Sequence, residues 1–262
     1  MTEVFDLRRG HSPLIISMPH SGEELGAYAA RMTADALKIA DTDWHLPALY
    51  GFLADMDVTV LHAHYSRYVI DLNRDPSGKS LYPGQNVTEL CPTTTFDERP
   101  IYLAGEAPHA AEERDRVSHF WQPYHNALNA EIERVRHIHG YALLWDAHSI
   151  RSQVPRFFGG RLPDFNLGTN DGQSCAPGLA EAVYKAAAVA DGYDAVLNGR
   201  FKGGFITRKY GQPAKGVHAI QLELSQITYM DESFPFSMIG HKAEGVAPHI
   251  RAMLEAMLDW KP

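Results

Sequence analysis

The amino-acid sequence predicts an α/β fold built on a largely parallel central sheet. Short apolar runs rich in branched side chains recur along the chain, each bounded by polar or turn-forming residues, as is typical of buried strands. Between them lie segments whose apolar residues recur every three or four positions, as in helices that bury one face. Strands that alternate with helices favour a layered α/β architecture. The predicted strands are Leu14–Met18, Val58–Leu61, Tyr68–Leu72, Tyr141–Trp145, Ala195–Leu197 and Ala219–Leu224.

The predicted helices occupy much of the sequence between these strands. They are Ala29–Ala40, Pro108–His139, Leu179–Ala190 and Val246–Trp260. Pro123 predicts a kink or a break in the second helix, because proline cannot donate the helical hydrogen bond. Two segments, Asp75–Pro108 and Arg151–Pro177, are too long and irregular to be simple connectors. Loops of that length in a compact domain are usually functional or mobile.

The composition is that of an ordinary globular protein. Of the 262 residues 45% are hydrophobic and 21% are charged, which excludes intrinsic disorder as the general state. No linker, repeat or shift in composition divides the chain, so we expect a single domain over residues 1–262. With 24 Lys and Arg against 32 Asp and Glu, no basic face for nucleic acid is expected. No run reaches the roughly 18 apolar residues of a membrane helix, so we expect no membrane partner.

The two cysteines, Cys91 and Cys175, lie far apart and lack the CxxC spacing. This excludes a thiolate zinc cluster and a disulfide-dense module, and it favours free thiols in a reducing compartment. The first ten residues carry charges and no apolar run like that of a signal peptide. The expected location is the cytoplasm.

Polar residues follow the predicted strands at the points where several of them end. Ligands of open α/β sheets bind beyond the carboxyl ends of the strands, so these side chains are expected on one rim. They are His20, the segment Asp71–Arg74, Asp146 with His148, the segment Asn198–Arg200 and, within the last strand, Glu223.

His20 and His148 form the strongest candidate pair, because neutral imidazoles are good ligands for zinc. Asp146, two residues before His148, could orient that imidazole, as ligating histidines usually require. The third ligand stays open between two carboxylates. Glu23 gives an H-x-x-E spacing with His20, whereas Asp43 follows a polar turn in which it could instead cap a helix.

Glu223 lies between two leucines in a predicted strand, where a carboxylate is costly to bury unless it is paired or functional. Alternation places Gln221, Glu223 and Ser225 on one face. This pattern fits either an antiparallel edge strand with a wet face or a general base that activates a metal-bound water.

Several arginines lie at or near the predicted strand ends, together with Asn73. Since the arginine fork binds carboxylates through two hydrogen bonds, they indicate a small anionic substrate. These arginines are Arg67, Arg74, Arg151, Arg156, Arg200 and Arg208.

Six motifs in order along nearly the whole chain resemble the N-formylglutamate amidohydrolase (deformylase) family. They are Met18–Gly22, Asp41–His45, Tyr65–Arg74, Leu144–Ser149, Asn198–Gly204 and Gln221–Gln226. The family is similar in fold to zinc carboxypeptidases and aspartoacylases. The resemblance implies a three-layer α/β/α domain with a mixed sheet that hydrolyses N-formyl-L-glutamate to formate and L-glutamate, the last step of one histidine-degradation route.

The resemblance also implies roles for individual residues. His20, Asp43 and His148 match metal ligands, and on this basis Asp43 is preferred to Glu23. Glu223 matches the general base. The metal would be one divalent ion, and zinc is the expected one, although His and carboxylate ligands also suit iron, cobalt or manganese.

Asn73 and Arg74 match a pair that holds a substrate carboxylate, and Arg67 or Arg200 could bind the second carboxylate. Two other functions stay open. One is a metallo-amidohydrolase or carboxypeptidase that acts on another N-acyl amino acid or a short peptide. The other is a non-catalytic small-molecule binding protein of the same fold.

Overall fold

The fold is described by a computed structural model that covers residues 3–78 and 87–262. These residues form one seven-stranded sheet in the order β1-β3-β2-β4-β7-β5-β6. The strands are β1 (Phe5–Arg8), β2 (Leu14–Met18), β3 (Thr59–Ala63), β4 (Ala142–Ile150), β5 (Phe165–Gly168), β6 (Ala195–Leu197) and β7 (Val217–Ser225).

The sheet is mixed and largely parallel. The neighbours β2–β3, β2–β4, β4–β7 and β5–β6 run parallel, whereas β1–β3 and β5–β7 run antiparallel. The predicted α/β class with a largely parallel sheet is therefore confirmed. The last strand, β7, lies between β4 and β5, so the alternative of an edge strand with a wet face is wrong for Glu223.

The α-helices are α1 (Leu46–Leu49), α2 (Ala110–Arg116), α3 (Gln122–His139), α4 (Pro177–Ala188), α5 (Phe205–Tyr210) and α6 (Gly240–Asp259). A π-helical segment, Val117–Trp121, separates α2 from α3. Helical backbone continues from Ala110 to His139, so the predicted break at Pro123 is wrong. Regular α-helical bonding is instead interrupted by the π-helical segment just before Pro123.

Helices cover both faces of the sheet and give three layers. Successive residues of β4 enter different cores: Leu143 and Trp145 pack in one, with α4 and α6. Leu144 packs in the other, with α3 and α5. Because side chains alternate across a strand, a strand buried on both sides reads as a continuous apolar run. This explains why β2 and most of β4 were visible in the sequence.

The predicted strand Tyr68–Leu72 is wrong. Its residues are buried, as an apolar run predicts, but they form turns in which loops and side chains take the backbone bonds. Arg116 donates to the Val69 carbonyl, and the backbone N–H of Asp71 donates to the Leu90 carbonyl. Burial is local to the run, whereas sheet pairing needs a partner strand elsewhere in the chain.

The predicted helix Ala29–Ala40 is also wrong. Two short 3₁₀ segments, Gly26–Arg31 and Ala36–Lys38, lie in this region. Strands β1 and β5 were not predicted. The first is a four-residue edge strand with half-buried alternation, and the second lies inside the irregular segment Arg151–Pro177.

Both cysteines are buried and free, as predicted. Across the described residues, none of the helices has the length and apolar character needed to cross a membrane. Part of the predicted loop Asp75–Pro108, residues 79–86, lies outside the described residues.

Candidate functional site

Two imidazoles from distant parts of the chain meet at the carboxyl ends of adjacent parallel strands. His20 comes two residues after β2, and His148 lies near the end of β4, in a register that pairs Ser17 with Asp146. The ring centroids of the two histidines are 4.7 Å apart, and both side chains are buried. The expected convergence at one rim of the sheet is therefore present.

Asp43 completes this cluster, and Glu23 does not. One ligand atom from each of His20, Asp43 and His148 lies within 4.8 Å of the other two. Asp43 Oδ2 is 3.0 Å from His148 Nδ1 and 3.8 Å from His20 Nδ1. Glu23 is exposed and lines a separate hollow beside His64. The H-x-x-E spacing therefore does not bring Glu23 into the cluster.

The turn before α1 positions Asp43 through the backbone. Its N–H donates to the His20 carbonyl at 3.0 Å, and its side chain accepts from the Ser149 N–H at 3.1 Å. Helix α1 begins after His45, and no side chain of the described residues caps it. The helix-capping interpretation of Asp43 is therefore wrong.

A carboxylate lies beside the Nε2 atom of each imidazole, and that of Asp71 is hydrogen-bonded to His20. His20 Nε2 lies 2.6 Å from Asp71 Oδ1, and His148 Nε2 lies 3.3 Å from Asp146 Oδ1. The bond to Asp71 fixes the His20 ring and leaves its Nδ1 toward Arg67 and Asp43. His148 Nδ1 faces Asp43, and Asn73 Nδ2 lies 2.9 Å from its Nε2. The contact to Asp146 was predicted. The role of Asp71 was missed, although its place in the motif Tyr65–Arg74 could have indicated it.

The electrostatics of the two histidines differ. Burial, with the guanidinium of Arg67 nearby, lowers the pKa of His20 to about 4. Burial also opposes a charge on His148, but the carboxylates of Asp146 and Asp43 outweigh it and raise that pKa well above its ordinary value. His20 is thus neutral at pH 7, the protonation state in which an imidazole ligates a metal. A cation at the cluster would take the place of the His148 proton.

Glu223 lies on β7 directly beside His148 in the parallel register with β4. It lines the same pocket as both imidazoles, and burial raises its pKa to about 8. Gln221, on the same face of β7, donates from Nε2 to Glu223 Oε2 at 3.2 Å. The Gln221 Oε1 atom accepts from the Gly204 N–H at 2.6 Å. The carboxylate is therefore held in place from α5.

A profile of the N-formylglutamate amidohydrolase family matches residues 12–230. The chain belongs to this family. It is 52% identical over 261 residues to a Pseudomonas aeruginosa protein named N-formylglutamate deformylase, covering 99% of this chain and 98% of that protein. It is 49% identical to a Pseudomonas putida protein of the same name, covering 99% of this chain and 97% of that protein.

The fold agrees with a solved member of the family. The crystal structure of an N-formylglutamate amidohydrolase from Ralstonia eutropha JMP134 matches with a TM-score of 0.77 at 27% identity, covering 97% of this chain and 96% of that chain. The resemblance carried by the six sequence motifs is confirmed.

The pocket that holds Glu223 and the two imidazoles is also lined by Arg67, Arg74 and Arg200 and by an apolar wall. Arg67 is buried, with Nη2 3.0 Å from both His20 Nδ1 and Asp71 Oδ2. Arg74 donates to the Thr88 carbonyl and hydroxyl. Arg200 donates from Nε to the Phe157 carbonyl at 2.7 Å. The apolar side chains of the pocket are Val87, Phe96, Ile150, Phe157 and Phe201.

Asn73 also lines the pocket, but its amide contacts other protein groups. Its Oδ1 accepts from the Ile206 N–H at 2.7 Å, and its Nδ2 lies 2.9 Å from His148 Nε2. Of the other arginines, Arg151 pairs with Asp97 at 2.9 Å. Arg151, Arg156 and Arg208 do not line the pocket.

The cluster suits a metal ion. Two imidazole nitrogens and a carboxylate oxygen are the ligand set of zinc enzymes that keep a fourth position open. The residues are buried and close together, and His20 and His148 are oriented from behind. The donor set excludes neither iron nor cobalt.

Proposed function

We propose that this chain hydrolyses N-formyl-L-glutamate to formate and L-glutamate with one zinc ion held by His20, Asp43 and His148. The observation that carries the proposal is the meeting of this cluster with Glu223 in one arginine-lined pocket. The substrate is supported by relatives named N-formylglutamate deformylase at 52% and 49% identity. When bound, the ion supplies positive charge that polarises a carbonyl group and acidifies a water molecule.

Glu223 acts as the proton carrier. Its carboxylate takes a proton from the attacking water as the C–O bond to the formyl carbon forms. It returns this proton to the amide nitrogen as the C–N bond breaks, and the second proton of the water passes from the formic acid product to the amine, so that formate and the protonated amine leave. Burial raises the pKa of Glu223, which favours the protonated form that delivers the proton to the leaving nitrogen. Gln221 keeps one carboxylate oxygen fixed during both transfers.

Arg67 faces the developing negative charge on the formyl oxygen. Its guanidinium is buried beside His20, where low dielectric strengthens its effect on nearby charge. Asp71 and Asp41 hold its position, since Arg67 donates to the carboxylate of the first and the carbonyl of the second.

The two substrate carboxylates bind Arg74 and Arg200, with Asn73 beside Arg74. Both arginines line the pocket: Arg74 is the last residue of the Tyr65–Arg74 motif, and Arg200 follows β6. Protein carbonyls hold both guanidiniums, so each fork is positioned before substrate binds.

The direct test is formate release from N-formyl-L-glutamate by zinc-loaded protein. We expect Glu223→Gln to lower kcat by about 10²–10⁴-fold, the usual contribution of a general acid–base group. Glu244→Gln, at an exposed carboxylate, is the matched control. Full activity in Glu223→Gln would refute the assigned base. Zinc content should fall in His20→Ala and in His148→Ala, and an unchanged content in both would refute the ligand set.

A substrate pair assigns the arginines. N-formyl-L-glutamine keeps the shape of the substrate and removes one charge. The arginine that binds the side-chain carboxylate is the one whose alanine variant no longer distinguishes the two compounds by kcat/KM. If neither Arg74→Ala nor Arg200→Ala reduces this discrimination, the proposed substrate contacts are wrong.

N-acetyl-L-glutamate tests the alternative acyl specificity. One extra methyl group changes kcat/KM by roughly 10–200-fold in a pocket shaped for a smaller group. A preference for the acetyl compound or for a short peptide would support the broader amidohydrolase, and binding without turnover would support a binding protein. The place in histidine degradation, the cytoplasmic location and the single domain stay predictions.

A further inference from the structure

A second cluster of metal-binding side chains lies at the β1 edge of the sheet, outside the pocket described above. Strands β1 and β3 pair antiparallel, with Asp6 directly opposite His62. His64 follows two residues later, so it shares the face of His62. The backbone N–H of His64 extends the pairing by donating to the Val4 carbonyl at 3.0 Å.

The ligand atoms of this edge cluster are already close. One from each of Asp6, His62 and His64 lies within 4.8 Å of the other two. His64 Nε2 is 3.0 Å from Asp6 Oδ2. His64 Nδ1 donates to the Glu3 carbonyl at 2.8 Å. That bond places a proton on Nδ1 and turns Nε2 toward Asp6, where a cation would take the place of a proton between the ring and the carboxylate.

The third nitrogen is the informative one. His62 Nε2 is buried and has no hydrogen-bond partner among residues 3–78 and 87–262. Buried polar atoms are nearly always paired, and an unpaired one in a native fold calls for a partner such as an ion. A cation that binds the His62 ring would be within reach of Asp6 and His64, because a ligand atom of His62 lies within 4.8 Å of theirs.

A simple ion pair does not account for this arrangement. His11 and Asp57 form such a pair at 3.1 Å on the surface, without a third ligating side chain in the described residues within the same reach. The edge cluster contains a third side chain beside the Asp6–His64 ion pair. This is the imidazole of His62, whose Nε2 atom is not hydrogen-bonded to either member of that pair.

We propose that Asp6, His62 and His64 bind a zinc-class divalent cation that fastens edge strand β1 to β3. Two imidazoles and one carboxylate suit zinc and its neighbours rather than magnesium or calcium, which prefer oxygen ligands. Tetrahedral zinc separates its ligand atoms by about 3.3 Å, so the Asp6–His64 spacing already fits. The side chain of Asp6 is 70% exposed, which leaves the fourth position to water.

The test counts zinc per chain after equilibration with buffered free zinc. We expect the double variant His62→Gln/His64→Gln to hold one equivalent less than the wild type. The double variant His20→Gln/His148→Gln should keep the edge equivalent whatever the pocket binds. His11→Gln is the matched control and should change nothing. An edge variant that holds as much zinc as the wild type overturns the proposal.

Asp6→Asn guards against misfolding, because Asp6 is largely exposed and its loss removes only one ligand charge. We expect at least a tenfold rise in the zinc dissociation constant of the edge site, measured in the His20→Gln/His148→Gln background. In that same background, zinc should slow hydrogen exchange of the β1 amides. Exchange at β1 that is identical with and without zinc overturns the proposal.

Discussion

The imidazole of His125 is held neutral in the core, and this predicts a loss of stability in acid. His125 lies on α3, stacked on Trp121 with ring centroids 3.7 Å apart. Its Nε2 donates to the Leu72 carbonyl at 2.8 Å, and its Nδ1 lies 3.0 Å from the Tyr210 hydroxyl. Burial lowers the pKa of His125 to about 3, and the ammonium of Lys209 adds to the shift.

The magnitude follows from the difference between the folded and unfolded pKa values. The folded pKa of His125 lies below the unfolded value of about 6.5, so the unfolded chain takes up the proton first as pH falls. The neutral His125 imidazole contributes fully to the free energy of unfolding above pH 6.5, and this contribution is lost between about pH 6.5 and pH 3. Below pH 6.5 the free energy of unfolding falls by about 1.4 kcal/mol for each pH unit. The drop from pH 7 to pH 5 includes about 1.5 such units, so the expected loss is about 2 kcal/mol.

The assay is urea unfolding at pH 7, 6 and 5 for the wild type and for His125→Gln. The variant is expected to be less stable at pH 7, and the wild-type advantage should shrink by about 2 kcal/mol at pH 5. His137→Gln, exposed on the same helix, should keep the wild-type pH dependence. Equal slopes for His125→Gln and the wild type would refute the reasoning.

Three further substitutions test the site and the core. Asp71→Asn removes the carboxylate behind His20, so zinc affinity should fall by about 10–100-fold in a chelator competition. Gly204→Ala places a Cβ 2.3 Å from the Asn73 amide, and displacing that side chain should lower formate release by roughly 10²-fold in a steady-state assay. Leu222→Ala opens a cavity in the buried sheet and should lower the free energy of unfolding by about 2–5 kcal/mol in urea.

Each of these substitutions has a matched control. Asp75→Asn changes a carboxylate outside the cluster and should leave zinc affinity unchanged. Gly240→Ala adds a Cβ where no described atom lies within 4 Å, so formate release should stay at the wild-type level. Leu37→Ala removes a side chain that is 48% exposed and should cost well under 1 kcal/mol. If a control variant shows the same change in zinc affinity, formate release or stability as its test variant, the effect does not arise from the contact that the test variant removes or disturbs.

Much of the site could be predicted because it depends on local patterns. An apolar run followed by a polar residue marks where a buried strand ends, and this placed His20 and His148 at one rim. The alternation of β7 likewise put Gln221 and Glu223 on one face. Arg67, Asn73 and Arg74 line the pocket although the strand predicted at Tyr68–Leu72 is wrong, because a buried turn can place these side chains there as well as a strand can.

The sequence by itself determined the kinds of side chain available and the strand ends that carry them, since both follow from the order of residues over a few positions. Residue spacing left Asp43 and Glu23 open, the family resemblance favoured Asp43, and the tertiary structure brought Asp43 to the imidazoles. Only the tertiary structure decided that Asp71 lies behind His20. Those distances join residues from different loops, and their positions depend on how the layers pack. The tertiary structure likewise placed Asp6 beside His62 and His64, because β1 pairs antiparallel with β3. Strand β1 has four residues, too few for its sequence pattern to predict it.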